Sequence, residues 1–231
     1  MRLLIINPNS SASVTARIDE AAQAARQPGE EITTIRATGA PELIVTPEDA
    51  QQAEGAVTRT LAAWAAPVDG VILASFGDTG LVAVRAQTSL PVVGIAQSAY
   101  AMASVLGARM SIVSFSPAMA DALRKTAQGY GHGERLVAMH MVEGASWDDP
   151  GAIQVTLEPE LRALCQKSAR EDDVGSIVLG GGPLAGLAAR LQPHVSVPVI
   201  DGTTAAIATL RVALGLPSPR GDEVTRKAAL A

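Results

Sequence analysis

The chain has 231 residues, a formal net charge of −5 and 48% hydrophobic residues, of which few are aromatic. This length suits one large domain or two smaller lobes, and the absence of a basic cluster argues against a nucleic-acid partner. No apolar run is long enough to cross a membrane, no signal peptide fits before the first strand, and the single Cys165 allows no internal disulfide. We therefore expect a cytoplasmic protein with neither nucleic-acid nor membrane partners.

The residue patterns alternate between strand and helix along the whole chain. Strands are predicted at 3–6, 31–37, 71–75, 91–95, 110–114, 136–142, 176–180 and 197–200. Helices are predicted at 14–22, 47–64, 81–88, 98–106, 117–130, 158–171, from 184, and at 203–214. Such alternation, with a core of Ala, Val, Leu and Ile, predicts an α/β fold with mostly parallel sheets flanked by helices.

The chain repeats itself after about 106 positions. VILASFGDTGL at 71–81 has the same shape as IVLGGGPLAGL at 177–187, and Ser75 aligns with Gly181. We therefore expect two pseudo-symmetric lobes with a cleft between them. Residues 1–97 and 204–216 would form the first lobe and 98–203 the second, and a tail at 217–231 would pack on a partner subunit or fray.

Ligands of parallel sheets bind beyond the carboxyl ends of the strands, so the residues there are candidate substrate contacts. This set comprises Asn7, Asn9, Ser10, Phe76, Gln97, Ser114, Ser116, Gly181, Gly182 and Thr203. Asn7, Asn9 and Ser10 could bind a carboxylate or ring carbonyl or merely cap a helix. Gly180–Gly182 could offer amides to an oxyanion or form a turn that needs positive φ.

Four residues near these strand ends are candidates for catalysis. Ser75 could be a nucleophile, a hydrogen-bond donor or a residue that merely fits, since no histidine lies within sequence reach to activate it. Asp78 could be catalytic or cap the following helix. Glu143 is a candidate general base at the end of a strand, and Asp201 could orient a ring N–H or a water molecule. No group of side chains has metal-ligand spacing, so no metal is expected.

Four motifs in order resemble the aspartate/glutamate/hydantoin racemase superfamily, with its hydantoin/allantoin racemase branch the most similar. They are INPNS at 6–10, SFGDTGL at 75–81, VLGGGPLAG at 178–186 and PVIDG at 198–202. The resemblance covers essentially the whole chain. It implies two α/β lobes, an active site between them, no cofactor, no metal and a homo-oligomer such as a dimer or tetramer.

The chain departs from this family at the residues that carry its chemistry. Family racemases have a cysteine at each of two symmetric places, which are Ser75 and Gly181 here. Inversion of a carbon acid needs a base on one face and an acid on the other, roles that two thiols can exchange. A glutamate common in the hydantoin branch is replaced by Gln97, and Cys165 lies in a predicted helix away from the loops. Two-thiol racemisation is therefore ruled out.

These features predict a cofactor-independent enzyme that acts on a small hydantoin-like or thiohydantoin-like ring, or on a related carboxylate. The favoured reaction is hydrolytic attack on a ring carbonyl or thiocarbonyl. The alternatives are a racemase with non-cysteine bases such as Asp78, Glu143 or Asp201, a decarboxylase or other lyase, and a non-catalytic homologue that binds the small molecule.

Overall fold

Eight strands and nine α-helices alternate along residues 1–44 and 46–216, the part of the chain that this computed structural model describes. The strands are β1 (Arg2–Asn7), β2 (Glu31–Arg36), β3 (Gly70–Leu73), β4 (Val92–Gly94), β5 (Met110–Ser114), β6 (Leu136–Met141), β7 (Ser176–Leu179) and β8 (Val199–Asp201). The helices are α1 (Ala12–Ala25), α2 (Pro47–Ala62), α3 (Leu81–Gln87), α4 (Ile95–Leu106), α5 (Ala120–Gly129), α6 (Ile153–Thr156), α7 (Glu158–Glu171), α8 (Leu187–Leu191) and α9 (Gly202–Gly215).

The strands form two four-stranded parallel sheets with the same internal order. The first sheet runs β2-β1-β3-β4 and the second runs β6-β5-β7-β8. β3 and β7, which precede the repeated loops, hold equivalent central places, and every residue of both strands is buried. The predicted α/β architecture with two parallel, helix-flanked sheets is therefore confirmed.

The two sheets share one apolar core. Ile72 of β3 and Ile112 of β5 belong to the same cluster of buried side chains, to which α1, α4 and α9 also contribute. The helices α4 and α9 pack along each other, and a Cβ atom on Gly202 would lie 2.8 Å from Ile95 Cβ. The amino-terminal ends of α4 and α9 therefore touch where the two halves of the chain meet. The predicted lobe boundaries stay a prediction, and the predicted tail at 217–231 lies outside the described residues.

Local side-chain caps explain the starts of α1 and α2, whereas the start of α4 differs from the prediction and affects the site. Ser11 accepts from Val14 N at the start of α1, and Thr46 forms a capping box with Asp49 at the start of α2. The predicted start of α4 at residue 98 is wrong, because α4 begins at Ile95. Gln97 therefore lies in the first turn of a helix and not in a loop.

Two absences hold for residues 1–44 and 46–216. No helix there is both long and apolar enough to cross a bilayer. No group of three or more His, Cys, Asp and Glu side chains in that same part of the chain could hold a metal ion.

Candidate active site

The two repeated loops face each other across the junction of the sheets. A Cβ atom on Gly182, beyond the end of β7, would lie 3.1 Å from the carbonyl oxygen of Ala74, beyond the end of β3. Ser75 and Gly181 are the next residues on either side of this contact. The structure therefore brings together the two places that the repeat made equivalent.

Ser75 occupies the first of these places with a half-buried side chain. Its Oγ accepts a hydrogen bond of 3.1 Å from Thr79 N, and its carbonyl accepts one of 2.9 Å from Asp78 N. Within residues 1–44 and 46–216, no imidazole or carboxylate is hydrogen-bonded to Ser75 Oγ. The hydroxyl can therefore donate to a ligand or a water molecule, but it lacks the base that a serine nucleophile requires.

Gly181 leaves no room for a side chain at the second place. Its φ of +140° and ψ of 137° are close to a conformation adopted almost only by glycine. A Cβ atom there would also lie 2.5 Å from Cε1 of Phe115, whose ring packs edge-on against Trp147 with ring centroids 5.3 Å apart. The backbone and the Phe115 ring together exclude the second thiol. The sequence did not indicate a role for Phe115, because a phenylalanine directly after a buried strand is typical of a core residue.

The amides beside Gly181 remain available for an oxyanion. A short 3₁₀ helix spans Gly182–Leu184. The carbonyl oxygens of Gly181 and Gly182 accept hydrogen bonds from Leu184 N and Ala185 N. Among residues 1–44 and 46–216, neither Gly181 N nor Gly182 N donates a hydrogen bond, as is usual for amides at the start of a helix, so both can donate to a ligand. Both sequence interpretations of this glycine run therefore apply, since the turn needs positive φ and also leaves backbone donors free.

Asp78 has a structural role and caps a different helix from the one expected. Its Oδ1 accepts from Ala96 N at 2.9 Å, and its Oδ2 accepts from Gln97 N at 2.8 Å and from the Tyr130 hydroxyl at 2.6 Å. The capped helix is α4, not the following α3. Burial raises the pKa of the Asp78 carboxyl above its ordinary value, although these three donors lower it. All three bonds hold the carboxylate in place, which leaves it poorly suited to remove a substrate proton.

The asparagines after β1 bond to one another and to α1. Asn7 Nδ2 donates to Asn9 Oδ1 at 2.8 Å and to Thr15 Oγ1 at 3.0 Å, and Asn9 Oδ1 also accepts from Ser11 N at 3.0 Å. Ser10 N donates to Pro41 O at 2.9 Å. Because Ser11 is the residue that caps α1, Asn7 and Asn9 do not cap this helix, and their side chains hold the loop between β1 and α1. The half-buried Ser10 hydroxyl has no partner among the described residues.

The serines after β5 divide between the core and a cap. Ser114 is fully buried and donates to Gly180 O at 2.6 Å, which ties the end of β5 to the glycine turn after β7. Ser116 accepts from Ala118 N at 3.3 Å and caps the short 3₁₀ helix that begins at Pro117. The Ser114 side chain therefore stabilises the glycine turn, and Ser116, a candidate substrate contact, caps a short helix instead.

Asp201 lies beside a pocket separate from the two facing loops. Its carboxylate accepts from Thr204 N at 3.0 Å and from the Thr204 hydroxyl, and so caps α9. The pocket has a volume of about 360 Å³ and is lined by residues of α4, α8, β8 and α9, with none from 75–80 or 180–182. Among the described residues, Asp201 makes no hydrogen bond to Ser75. Thr203 is 1% exposed, and its hydroxyl has no partner among the described residues.

Gln97 and Phe76 are held by neighbours within the first half of the chain. Gln97 Oε1 accepts from Arg85 Nη2 at 2.7 Å. Phe76 is buried and packs edge-on against Tyr100, with ring centroids 5.7 Å apart. Phe76 therefore contributes packing beneath the loop.

Glu143 and Cys165 do not join the facing loops. Glu143 is exposed on the turn after β6, an edge strand that β5 separates from β7. Cys165 is fully buried in α7, and burial raises the pKa of its thiol to about 12. The thiol is therefore protonated and out of reach, as the sequence predicted, and it cannot replace either missing cysteine.

Comparison with known proteins identifies the family to which this sequence belongs. The sequence matches the family described as Asp/Glu/Hydantoin racemase over residues 3–210. The chain belongs to the Asp/Glu/hydantoin racemase family. It is 33% identical to a hydantoin racemase of Paenarthrobacter aurescens, with 96% of this chain and 95% of the relative covered. It is 31% identical to a hydantoin racemase of Rhizobium meliloti, with 93% and 89% covered.

Solved structures agree with this family placement. An allantoin racemase from Klebsiella pneumoniae superposes with a TM-score of 0.83 at 35% identity and covers 96% of this chain and 92% of its own. A double mutant of arylmalonate decarboxylase superposes with a TM-score of 0.67 at 18% identity over 94% of this chain and 94% of its own, and it shares the fold alone. The predicted superfamily is confirmed. The relatives above 25% identity are named racemases, so the comparisons favour the racemase alternative over the hydrolytic reading.

Proposed function

We propose that this family member is a racemase of hydantoin-type rings that moves the ring α-proton without a thiol pair. The observation that carries the proposal is identity of about one third, over nearly the whole chain, to hydantoin racemases and an allantoin racemase. Allantoin is itself a substituted hydantoin, so the two groups of relatives are named for one ring. The retained loops at 75–81 and 178–186 support the same substrate class.

The free amides after β7 suit the charge that this reaction develops. Removal of the proton next to a ring carbonyl gives an enolate whose negative charge rests largely on oxygen. Backbone N–H groups placed beforehand at that oxygen stabilise the transition state more than the substrate. Gly181 and Gly182 offer two such donors, and the Phe115 ring beside Gly181 keeps that side of the turn apolar.

Proton transfer in this proposal uses solvent. A hydroxide ion takes the α-proton from one face of the ring and becomes water, and a water molecule returns a proton to the enolate on the opposite face and becomes hydroxide, so protons and charge balance. Ser75 Oγ accepts from Thr79 N, so its own hydrogen can be donated to the hydroxide and orient it on one face of the ring. The opposite face, beside Gly181, has no side chain to act as base or acid. We therefore expect slower catalysis than a thiol pair would give, because positioned acid–base groups contribute roughly 10²–10⁴-fold.

Proton NMR in D₂O tests this function directly. Single enantiomers of a 5-substituted hydantoin and of allantoin are incubated with the wild-type protein, and the α-proton signal and the chirality of the ring are followed together. The proposal predicts loss of the α-proton signal with the ring intact, and racemisation at a comparable rate. A rate equal to that of buffer alone would contradict it.

Ring hydrolysis is the second candidate, and the absence of side chains at Gly181 favours it. Two free amides with no thiol beside them could stabilise the tetrahedral oxyanion of a carbonyl attacked by water. The same NMR experiment separates the two reactions. A ring-opened product that retains its α-proton would establish hydrolysis instead of racemisation.

A further inference from the structure

We infer that Tyr130, from the second half of the chain, is a positioning residue that holds the loop at 75–80 in the shape that presents Ser75. The effect on catalysis rests on the function proposed above, but the effect on the loop does not. Tyr130 is the C-cap residue that directly follows α5. It acts through Asp78, and no contact between its ring and a substrate is required.

The Tyr130 hydroxyl completes a carboxylate site that joins the two halves of the chain. Asp78 is 6% exposed, and two of its three hydrogen bonds come from the amides at the start of α4. The third comes from Tyr130, 52 positions away, at 2.6 Å. A Cβ atom on Gly94 would lie 2.1 Å from Asp78 Cγ, so the carboxylate is wedged where only glycine fits beneath it.

The backbone transmits the position of Asp78 to Ser75. Asp78 N donates to the Ser75 carbonyl at 2.9 Å, and the next amide, Thr79 N, donates to Ser75 Oγ at 3.1 Å. Asp78 has a φ of +46°, a left-handed conformation that is unfavourable for a residue with a side chain. Such a conformation persists when surrounding contacts enforce it. Loss of one contact on the carboxylate therefore acts on the two peptide units that orient the Ser75 hydroxyl.

Charge and protonation keep this contact intact near neutral pH. Burial, followed by the bond to Asp78, raises the pKa of the Tyr130 phenol, so it remains a donor. The groups that face Asp78 are the Tyr130 hydroxyl, the two α4 amides, the Arg85 guanidinium and the buried phenol of Tyr100. Because the Tyr130 hydroxyl lowers the pKa of the Asp78 carboxyl, its removal raises that pKa further.

The substitution Tyr130→Phe isolates the hydroxyl, because the ring keeps its packing against Tyr100, whose centroid lies 6.5 Å away. Tyr100→Phe is the matched control. The Tyr100 hydroxyl is also buried and donates to Leu123 O at 3.1 Å, but it forms no bond to the loop at 75–80. Both variants lose one hydrogen-bonded tyrosine hydroxyl, and only the first loses the contact with Asp78.

The experiment compares wild type, Tyr130→Phe, Tyr100→Phe and a second loop variant, Asp78→Asn. Hydrogen exchange is followed in peptides that cover 75–81, and kcat and KM for α-proton exchange are measured against pH. We expect exchange of the 75–81 amides to speed up about tenfold or more in Tyr130→Phe and Asp78→Asn, and to stay within twofold of wild type in Tyr100→Phe. In Tyr130→Phe, kcat falls at least tenfold with KM changed less than threefold, and the acidic limb of the profile moves to higher pH.

Two results overturn the inference: loop protection in Tyr130→Phe that equals that in Tyr100→Phe, or a fall in activity that is the same in both. The proposed function fails separately. If wild type does not exchange the α-proton, the racemase proposal is wrong, and the hydrogen-exchange comparison still decides whether Tyr130 holds the loop.

Discussion

Replacement of Gly181 by alanine tests whether the second thiol place is closed by structure. Two costs add at this position. The φ of +140° strains any residue with a Cβ atom by about 1–3 kcal/mol. The contact of 2.5 Å with Phe115 Cε1 forces the ring to move, and overpacking of this kind costs about 1–3 kcal/mol. We therefore expect Gly181→Ala to lower the free energy of unfolding by roughly 2–6 kcal/mol.

Urea denaturation followed by circular dichroism measures this loss, and each kcal/mol should lower Tm by about 2–4 °C in a chain of this size. The variant Phe115→Leu separates the two costs. In the double variant the steric overlap is relieved and the backbone strain remains, so its loss should be smaller than the sum of the two single losses by about 1–3 kcal/mol.

Two glycines provide controls for this measurement. Gly144 has a φ of +64° with no atom within 4 Å of its Cβ position, so Gly144→Ala should show strain alone, about 1 kcal/mol. Gly129 has an ordinary φ and open space at the end of α5, so Gly129→Ala should be neutral or stabilising. If Gly181→Ala is within about 0.5 kcal/mol of wild type, the account of the closed second place is wrong.

Three further predictions follow from single contacts. Ser75→Cys should raise the α-proton exchange rate measured by NMR about 10²-fold, because it restores one acid–base group, and an unchanged rate would count against Ser75 facing the ring. Arg211 donates to Glu30 at 2.7 Å, and this bond is the largest of several causes that hold the pKa of that carboxyl at about 2 instead of 4.5. A lowered carboxyl pKa stabilises the fold above about pH 4.5, and this effect is lost as pH falls towards 2. Arg211→Met should therefore cost about 1–3 kcal/mol at pH 7 and much less at pH 2, measured by urea denaturation at each pH. The buried Cys165 thiol should resist a thiol reagent at pH 8 in the folded protein and react at once in denaturant; rapid labelling of the folded protein would contradict its burial.

Much of the fold could be predicted because its signals are local or repeated. The strands read as short apolar runs, the helices as amphipathic segments, and the repeat implied two sheets of equal order. The start of α4 could not be predicted in this way. Gly94 offers no capping side chain, and the cap comes instead from Asp78, which lies 18 positions before Ala96, the residue whose amide it accepts.

The candidate site likewise has a part that local or repeated sequence signals predict and a part that depends on long-range contacts. That Ser75 and Gly181 lie opposite each other could be predicted, because the repeat makes them equivalent and both follow the carboxyl end of a parallel strand. The residues that define what those two places can do, Phe115 and Tyr130, approach from other strands and helices through contacts that no sequence pattern encodes. Asn7 and Asn9 illustrate a third case, since binding and capping both fitted the sequence, whereas the structure gives the cap to Ser11 and uses both asparagine side chains to hold the loop before α1.

The central claim is that this racemase-family chain moves an α-proton without thiols. The most direct test compares the rate of α-proton loss from one hydantoin enantiomer in D₂O between wild type and Cys165→Ser. The account predicts loss of the signal with the ring intact, at rates that agree within about twofold, because the only cysteine in the sequence lies buried in α7. Loss of activity in a Cys165→Ser variant that still folds, or the absence of α-proton loss in wild type, would contradict it.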